Sequence, residues 1–518
     1  MILIASAAYV DQDLSAEVGL IPPSFLPIGN QRLYEHQIAS LSSLKEDIYL
    51  SLPASFSLGD SDVACIKKLG VNILFVPDGV SLGESVLYSW NATGKNYSQL
   101  KILHGDTLFL DEMNFEGDFV SVSDNRGAYY RALVESDELN NLIALKQRWI
   151  NDGSTVLSGL FCFTNPQLFM KCIIEAKNDF ISSIVQYSEK LSIKCENFGE
   201  WLDFGHLNSF FASRTTMTTQ RVFNDLTITR RSVTKKSQDL VKIKAESSWF
   251  EKLPYSLRIY TPTLLIPYFE KGSKASYTIE YLYLLPLSDL FVFGRHSVGA
   301  WKQIFASAKD VLDDFRATTS QVDATVDIQS FDQLYLKKTL SRLNDNKQKM
   351  VLDIDELIAM AHQSSHYISN PKYAHCSIVH GDFCFSNLLF DSRTQSLKLI
   401  DPRGLDGQRN FTLLGDQRYD LAKFFHSVVG CYDLIIAGRY SFQNESIQFY
   451  DVERLDLIEE AFDEVFCQND ALVCKQELLA INVHLFLSML PLHSDRPDRQ
   501  RAMVLNAKRL FIKLMDSL

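Results

Sequence analysis

Three side chains in the C-terminal half have the types and spacing that phosphoryl transfer needs. The run His380-Gly381-Asp382-Phe383-Cys384-Phe385-Ser386-Asn387 sets a carboxylate five residues before a carboxamide, and Asp401 follows Asn387 by fourteen residues, at the end of Leu397-Lys398-Leu399-Ile400. Moving a phosphoryl group onto a hydroxyl takes an aligned nucleophile, a carboxylate to accept its proton and a divalent cation over the phosphates. Asp382, on a loop directly after the short apolar run Ile378-Val379, has the position for that base. Asn387 offers a neutral oxygen and Asp401 an ionised one, the hard donors that magnesium favours.

A lysine for the α- and β-phosphates of ATP is expected in Ser232-Val233-Thr234-Lys235-Lys236, where strand alternation turns one lysine inward. Lys235 is preferred over Lys236 because it shares a face with Val233, and Glu246 on the following helix is its candidate partner. Lys242 with Glu251 is the competing pair. Ile228-Thr229-Arg230-Arg231-Ser232-Val233 contains no glycine, so serine or backbone amides, with Arg230 or Arg231, would have to cover the phosphates. Tyr277 to Pro286 reads as a strand that breaks, either a hinge whose backbone binds adenine or an ordinary core strand.

A second constellation lies upstream. His104-Gly105-Asp106 follows the apolar run Lys101-Ile102-Leu103, and Trp201-Leu202-Asp203-Phe204-Gly205 comes about a hundred residues later. Two aspartates so separated can converge on one magnesium beside a triphosphate. There the phosphate of one substrate attacks the α-phosphorus of a nucleoside triphosphate and pyrophosphate leaves.

The elements that must position these groups follow two patterns. Strand-like segments at 2–8, 48–52, 71–76 and 101–103 alternate with helical patterns near 31–44, 60–69 and 81–93, the mark of parallel βαβ units, and Thr155 to Phe163 reads as a further strand. Ligands of such sheets bind beyond the carboxyl ends of the strands. Near residue 216 the composition shifts to Thr-, Arg- and Lys-rich strands, with a hairpin over Phe223–Ser237 and a helix over 238–253 that has Leu240, Ile243, Phe250 and Leu253 on one face. Beyond about 300 the patterns are mainly helical. These patterns predict an α/β domain over 1–215 and an α+β domain over 216–518; the resemblances given below imply a Rossmann-like fold for the first and a bilobal one for the second, its small lobe about 216–290 and its helical large lobe about 291–518.

At 518 residues the chain exceeds one ordinary core. Its 51 basic and 63 acidic residues give a net charge of −12, which argues against a nucleic-acid-binding surface. No apolar run approaches the roughly 18 residues of a membrane span, and the apolar start, lacking a basic residue before it, is expected to be a buried strand rather than a signal segment. The nine cysteines form no Cys-x-x-Cys pair and have no histidine nearby at metal spacing, so reduced thiols of a cytoplasmic protein are expected.

His380-x-Asp382-x4-Asn387 with the following Ile400-Asp401 resembles the aminoglycoside phosphotransferase and choline kinase superfamily, whose fold is that of protein kinases. That likeness covers roughly residues 216–518 and implies Asp382 as base, with Asn387 and Asp401 as magnesium ligands. Asp401-Pro402-Arg403-Gly404 departs from a protein kinase's Asp-Phe-Gly, and Gly415-Asp416-x3-Asp420-Leu421-Ala422-Lys423 resembles the superfamily's acidic helix start, with Asp420 expected to brace the catalytic loop. Residues 1–215 resemble sugar-phosphate nucleotidyltransferases in Pro22-Pro23-Ser24-Phe25-Leu26-Pro27, Ser81-Leu82-Gly83-Glu84-Ser85, Gly105-Asp106, Ser158-Gly159 and Trp201-x-Asp203-x-Gly205. This second likeness implies metal at Asp106 and Asp203, a nucleotide contact near Gly83 and a contact to the phosphorylated substrate near Gly159. Two departures accompany it. The opening loop Ala5-Ser6-Ala7-Ala8-Tyr9-Val10-Asp11 lacks the family's glycines and arginine, and Ser24 stands where a lysine is expected, with Arg32 as partial compensation.

Together the two halves imply a bifunctional enzyme: ATP and magnesium make a phosphate ester of a sugar, polyol or amino alcohol, and CTP or another nucleoside triphosphate activates it for a surface polysaccharide. The alternatives are a kinase carrying a degenerate binding or dimerisation module, a scaffold without activity, and a protein kinase, which the short connection after Asp401 disfavours. Partners are expected to be nucleotides and a small molecule, without nucleic acid or membrane insertion, and a homo-oligomer is compatible with the sequence.

Overall fold

The computed structural model describes residues 1–111, 116–125, 127–150, 153–217, 225–322, 327–345, 354–468 and 473–517. Contacts divide the chain into two compact units, Met1–Thr218 and Thr219–Leu518.

Four parallel strands form the centre of the first unit, in the spatial order Leu100–His104, Ile2–Ala5, Ile48–Pro53, Asn72–Val76. Ile2, Leu3 and Ile4 are fully buried, as expected of an inner strand of a sheet covered on both faces. Asn72–Val76 is the edge strand, and its positions are exposed or half-buried until the buried Val76. Helices at Leu33–Leu41, Asp60–Leu69 and Leu82–Ala92 make the crossovers, and the last of these is fixed by a capping box in which Ser81 Oγ accepts from Glu84 N at 3.2 Å while Ser81 N donates to Glu84 Oε2 at 2.7 Å.

The sheet continues antiparallel through Thr155–Phe163 beside Leu100–His104, then Tyr129–Ser136 and Leu142–Ile150. Phe161, Phe163, Phe169, Ile173, Ile184 and Tyr187 fill a core with Leu3, Val86 and Ile102. This is a Rossmann-like α/β unit.

In the second unit a four-stranded antiparallel sheet runs Asp225–Ile228, Ser232–Ser237, Lys274–Glu280, Leu264–Lys271. Residues 223–224 of the expected hairpin lie outside the described residues. The helix Leu240–Lys252 packs on this sheet, where Phe250 meets Tyr277, while Trp249 lies against His380 and Phe315 and donates to Val379 O at 2.9 Å; Asp239 caps the helix by accepting from Lys242 N at 3.1 Å. The rest is mainly helical around Gln417–Val428, whose residues are all buried, and Lys475–Met489. The short strand expected at Ile378-Val379 forms over Cys376–Ile378 and pairs with Leu414–Asp416; the hairpin Tyr440–Gln443 with Ser446–Phe449 and the pairing of Leu285–Pro286 with Leu388–Asp391 were not foreseen. Two to four residues carry too little period-2 signal to be read. All nine cysteines are free thiols. Among the described residues no helix is long and apolar enough to cross a membrane.

Candidate active sites

In the second unit the loop 379–387 is pinned from several sides. Asp420 accepts from His380 N at 2.6 Å and from Gly381 N at 2.8 Å, so both of its oxygens hold the backbone just before Asp382. The His380 ring lies 3.0 Å by Nε2 from Ile400 O, tying this loop to the residue before Asp401, and Phe385 N donates to Ser427 Oγ at 3.1 Å. Burial lowers the His380 imidazole to about 4, so a neutral ring makes that bond. Gly381 has φ +79, and a Cβ there would stand 2.7 Å from Arg403 Cβ, which leaves glycine as the residue that fits.

Asp382 keeps 38% side-chain exposure and is paired by Oδ1 with Lys423 Nζ at 2.9 Å. Burial would push its carboxyl up, but the Lys423 and Arg403 charges hold it well below the usual carboxylate range. Asn387 turns its Nδ2 toward Asp382 O at 2.9 Å and Asp382 Oδ2 at 3.1 Å. That leaves Asn387 Oδ1 as the acceptor end. Asp401 follows Ser396–Leu399 in the left-handed region, φ 57, a conformation that aspartate tolerates better than most residues and that recurs at functional sites.

Lys235 reaches Asp401 Oδ1 at 3.2 Å and Glu246 Oε2 at 2.8 Å. Its side chain is 6% exposed and that of Glu246 2%. Burial opposes the ammonium, but Asp401 and Glu246 hold it above the ordinary lysine value. Tyr277 OH donates to Glu246 Oε2 at 3.0 Å, which places Tyr277 as a buried core residue of its strand. The competing lysine, Lys242, is 3.8 Å from Glu246 rather than paired with Glu251.

Lys235, Glu246, Asp382, Asn387 and Asp401 all line one cavity of about 620 Å³. Asn387 Oδ1 and the Asp401 carboxylate are hard oxygens on that shared wall, a donor set that fits magnesium. Among the described residues no three His, Cys, Asp or Glu side chains form a metal cluster, so a cation here would rest on this carboxamide–carboxylate pair and on phosphate oxygens.

In the first unit Asp106 and Asp203 approach each other across Gly205. A Cβ on Gly205 would lie 2.5 Å from Asp106 Oδ2 and 3.3 Å from Asp203 Oδ1. The Asp106 turn is shaped by Gln37, whose Nε2 donates to the carbonyls of His104, Gly105 and Thr107 at 3.1, 3.2 and 2.8 Å. Burial pushes the Asp106 carboxyl up, and the Asp203 carboxylate adds to this against the opposing His104. A divalent cation would relieve that crowding, so the pair fits one, although Arg131 already forms an ion pair with Asp203.

Gly159 is brought to this site: at φ +90 it sits in a bulge of Thr155–Phe163, and a Cβ there would meet Thr107 Oγ1 at 2.7 Å and His104 Nδ1 at 3.2 Å. Gly83 has a packing role, because a Cβ would lie 2.3 Å from Asn178 O. This approach accounts for the glycine without a nucleotide.

Arg32 is corrected outright. It is buried in a two-pronged pair with Asp62 (3.1 and 2.9 Å) and donates to Phe25 O at 2.9 Å, so its charge is spent inside the core and cannot reach a triphosphate. Ser24 donates to Ser6 Oγ from both its hydroxyl, at 2.7 Å, and its backbone N, at 3.1 Å.

Sequence reasoning assigned no role to Lys423, Arg403, Arg131 or Tyr419. For Lys423 a signal was present: it stands three residues after Asp420 on one helix, and i,i+3 positions share a face. Arg403 Nη2 and Lys338 Nζ both donate to Tyr419 OH, at 3.1 and 2.9 Å, a meeting of three segments with no short-range trace.

No family model matches the chain and no curated protein matches it. Among solved structures, a nucleoside-diphosphate-sugar pyrophosphorylase from Vibrio cholerae is 15% identical over 41% of this chain and 99% of its own, with a TM-score of 0.36. A CTP:phosphocholine cytidylyltransferase from Streptococcus pneumoniae is 13% identical over 42% and 98%, TM-score 0.35. An aminoglycoside phosphotransferase from Streptomyces rimosus, solved with ADP and streptomycin, is 14% identical over 54% and 87%, TM-score 0.31. The chain is similar to these proteins at low identity and low TM-score, and the chemistry of each site is read from its own residues.

Proposed function

We propose that the chain is a bifunctional transferase. In this reading Thr219–Leu518 transfers the γ-phosphoryl group of ATP to a hydroxyl of a small metabolite X, releasing ADP and a proton. Met1–Thr218 then joins X-phosphate to CTP or another nucleoside triphosphate, forming NDP-X and pyrophosphate. X is a sugar, polyol or amino alcohol, and surface polysaccharide assembly is the destination the sequence resemblance suggests. The observation that carries the kinase half is the grouping of Lys235, Glu246, Asp382, Asn387 and Asp401 around one cavity.

Each residue has a task there. Asp382, kept ionised by Lys423, aligns the acceptor hydroxyl and takes its proton. Asp420 keeps that carboxylate in place through the backbone of His380 and Gly381. Lys235, positioned by Glu246, supplies charge to the nucleotide phosphates, and Asn387 with Asp401 would hold magnesium, which neutralises charge on the transferring group when bound. For the first unit Asp106 and Asp203 would hold the cation, and His104, Thr107 and Gly159 border the same place. One chain holding both activities raises the effective concentration of the intermediate at the second site.

A specific observation favours a second reading, in which the first unit is a degenerate binding or dimerisation module. Ser24 is sealed against Ser6, Arg32 against Asp62 and Arg131 against Asp203, which removes three groups from the task of holding a triphosphate. The deciding experiment supplies magnesium, ATP, CTP, UTP, dTTP and GTP with a panel of sugars, polyols and amino alcohols, following ADP and nucleotide-linked products. Asp382→Ala abolishes phosphorylation and Asp106→Ala only nucleotidyl transfer. ADP without any NDP-X establishes the second reading, NDP-X that survives Asp106→Ala refutes the assignment of Asp106, and ADP that survives Asp382→Ala with every acceptor refutes the kinase.

A further inference from the structure

Beyond the carboxyl ends of the parallel strands of the first unit, three loops are tied together by their side chains. Ser55 and Asp78 each stand two residues past a strand, Ile48–Pro53 and Asn72–Val76, and Tyr9 follows Ile2–Ala5 by four. Ser55 Oγ donates to Asp78 Oδ1 at 2.9 Å, Ser55 N points to the same oxygen at 3.4 Å, and the Tyr9 hydroxyl lies 2.8 Å from Ser55 Oγ. Because the single Ser55 hydroxyl proton goes to a carboxylate, which only accepts, Tyr9 must donate to Ser55. What this line leaves over are acceptors alone: the lone pairs of the Tyr9 oxygen and Asp78 Oδ2, to which no described residue donates. Beside Asp78, Gly79 at φ +75 leaves open space, since a Cβ there would meet nothing within 4 Å.

Asp106 stands two residues past Leu100–His104, on the same edge of the sheet. In the order Leu100–His104, Ile2–Ala5, Ile48–Pro53, Asn72–Val76 its loop is three strands from that of Asp78, on the order of 14 Å at the usual spacing of about 4.8 Å. Ligands of parallel sheets lie across such loops, and a nucleotide with its phosphates at Asp106 and Asp203 would extend along them to Asp78. Tying three exposed side chains together gains little in water, where each can bond to solvent; its effect is to hold the carboxylate in one orientation ahead of binding. We propose that Asp78, held by Ser55 and Tyr9, selects the nucleobase. Its free oxygen accepts from an exocyclic amino group, as cytosine and guanine carry, and repels the carbonyl oxygen that uracil and thymine have where cytosine has its amine. This rests on the nucleotidyltransferase reading of the first unit and narrows its nucleoside triphosphate, with Asp78 as a specificity-determining residue apart from the metal pair.

The test is calorimetry of CTP, GTP, UTP and dTTP, each with magnesium, on three full-length proteins: wild type, Asp78→Asn and Asp106→Ala. The second unit has the same sequence in all three, so differences among them report the first. In Asp78→Asn the amide oxygen still accepts from Ser55, and an amino group replaces the free oxygen. Binding of CTP or of GTP should weaken about 10- to 100-fold, the worth of one hydrogen bond to a charged group, and the one that weakens identifies the base. UTP and dTTP should bind the variant as well as they bind wild type, or better. A loss shared by all four nucleotides overturns the inference. So does an unchanged Asp78→Asn beside an Asp106→Ala that alters binding, and in both cases the nucleotidyltransferase reading stands. A loss with CTP and GTP that is absent with dCTP and dGTP assigns Asp78 to the ribose and overturns the selection of a base. Identical isotherms for all three proteins overturn nucleotide binding by the first unit, and the inference with it.

Discussion

Replacing Lys235 by methionine tests the buried centre of the proposed kinase. The substitution keeps most of the apolar stem but deletes the ammonium that lies 2.8 Å from Glu246 and 3.2 Å from Asp401. Glu246, 2% exposed, is then left with the Tyr277 hydroxyl at 3.0 Å and the more distant Lys242 ammonium at 3.8 Å. Removing one partner of a buried pair costs about 3–5 kcal/mol, because the stranded charge has no solvent to receive it. Against a stability of roughly 5–15 kcal/mol for a domain, that is a large share. At about 2–3 °C per kcal/mol for a unit of this size, the melting transition should fall by roughly 6–15 °C. Glu246→Gln removes the stranded charge while its amide can still meet Tyr277, so Lys235→Met/Glu246→Gln should recover about 1–3 kcal/mol of the single-variant loss. Urea unfolding of the four proteins of this cycle measures the coupling directly. Additive effects, or a Lys235→Met loss below about 1 kcal/mol, would refute a buried Lys235–Glu246 pair.

Two further outcomes follow from the loop and the tyrosine. Asp420→Asn should perform poorly despite its shape: both carboxylate oxygens accept from N–H groups, and an amide offers one acceptor and a donor that clashes with the other. The orphaned N–H costs about 1–3 kcal/mol, and kcat for ADP release should fall on the order of 10²-fold if the base moves by about 1 Å. Tyr419 concerns pH: burial would raise its hydroxyl, but Arg403, Lys338 and Lys423 bring it down to about 6 from the ordinary 10. A folded value below the unfolded one gives stability that is fully present above 10 and is lost as pH falls through about 6. The stability gap between wild type and Tyr419→Phe should therefore widen as pH rises from about 6 to 10, and the tyrosinate absorbance of the native protein near neutral pH should vanish in the variant.

The sequence by itself determined what short spacings encode. The alternation of strands and crossover helices up to residue 104 reflects period-2 and period-3.6 patterns that local sterics and burial impose, and the segments 48–53, 60–69 and 155–163 appear almost as read. Asp382 and Asn387 were legible because five residues of one loop carry them. Lys235 was legible because alternation on a strand has only two faces.

Tertiary structure decided everything that joins distant segments. The meeting of Asp106 with Asp203 across Gly205, the Arg131 ion pair on Asp203, the seal of Ser6 on Ser24, and the convergence of Lys338 and Arg403 on Tyr419 join groups from 16 to 97 positions apart. No periodicity links such residues; they are brought together by the burial of the apolar faces around them, which fixes the backbone and leaves each polar group to find its partner there. Arg32 shows the consequence. Its sequence position suggested a phosphate ligand, and its burial beside Asp62 made it part of the core.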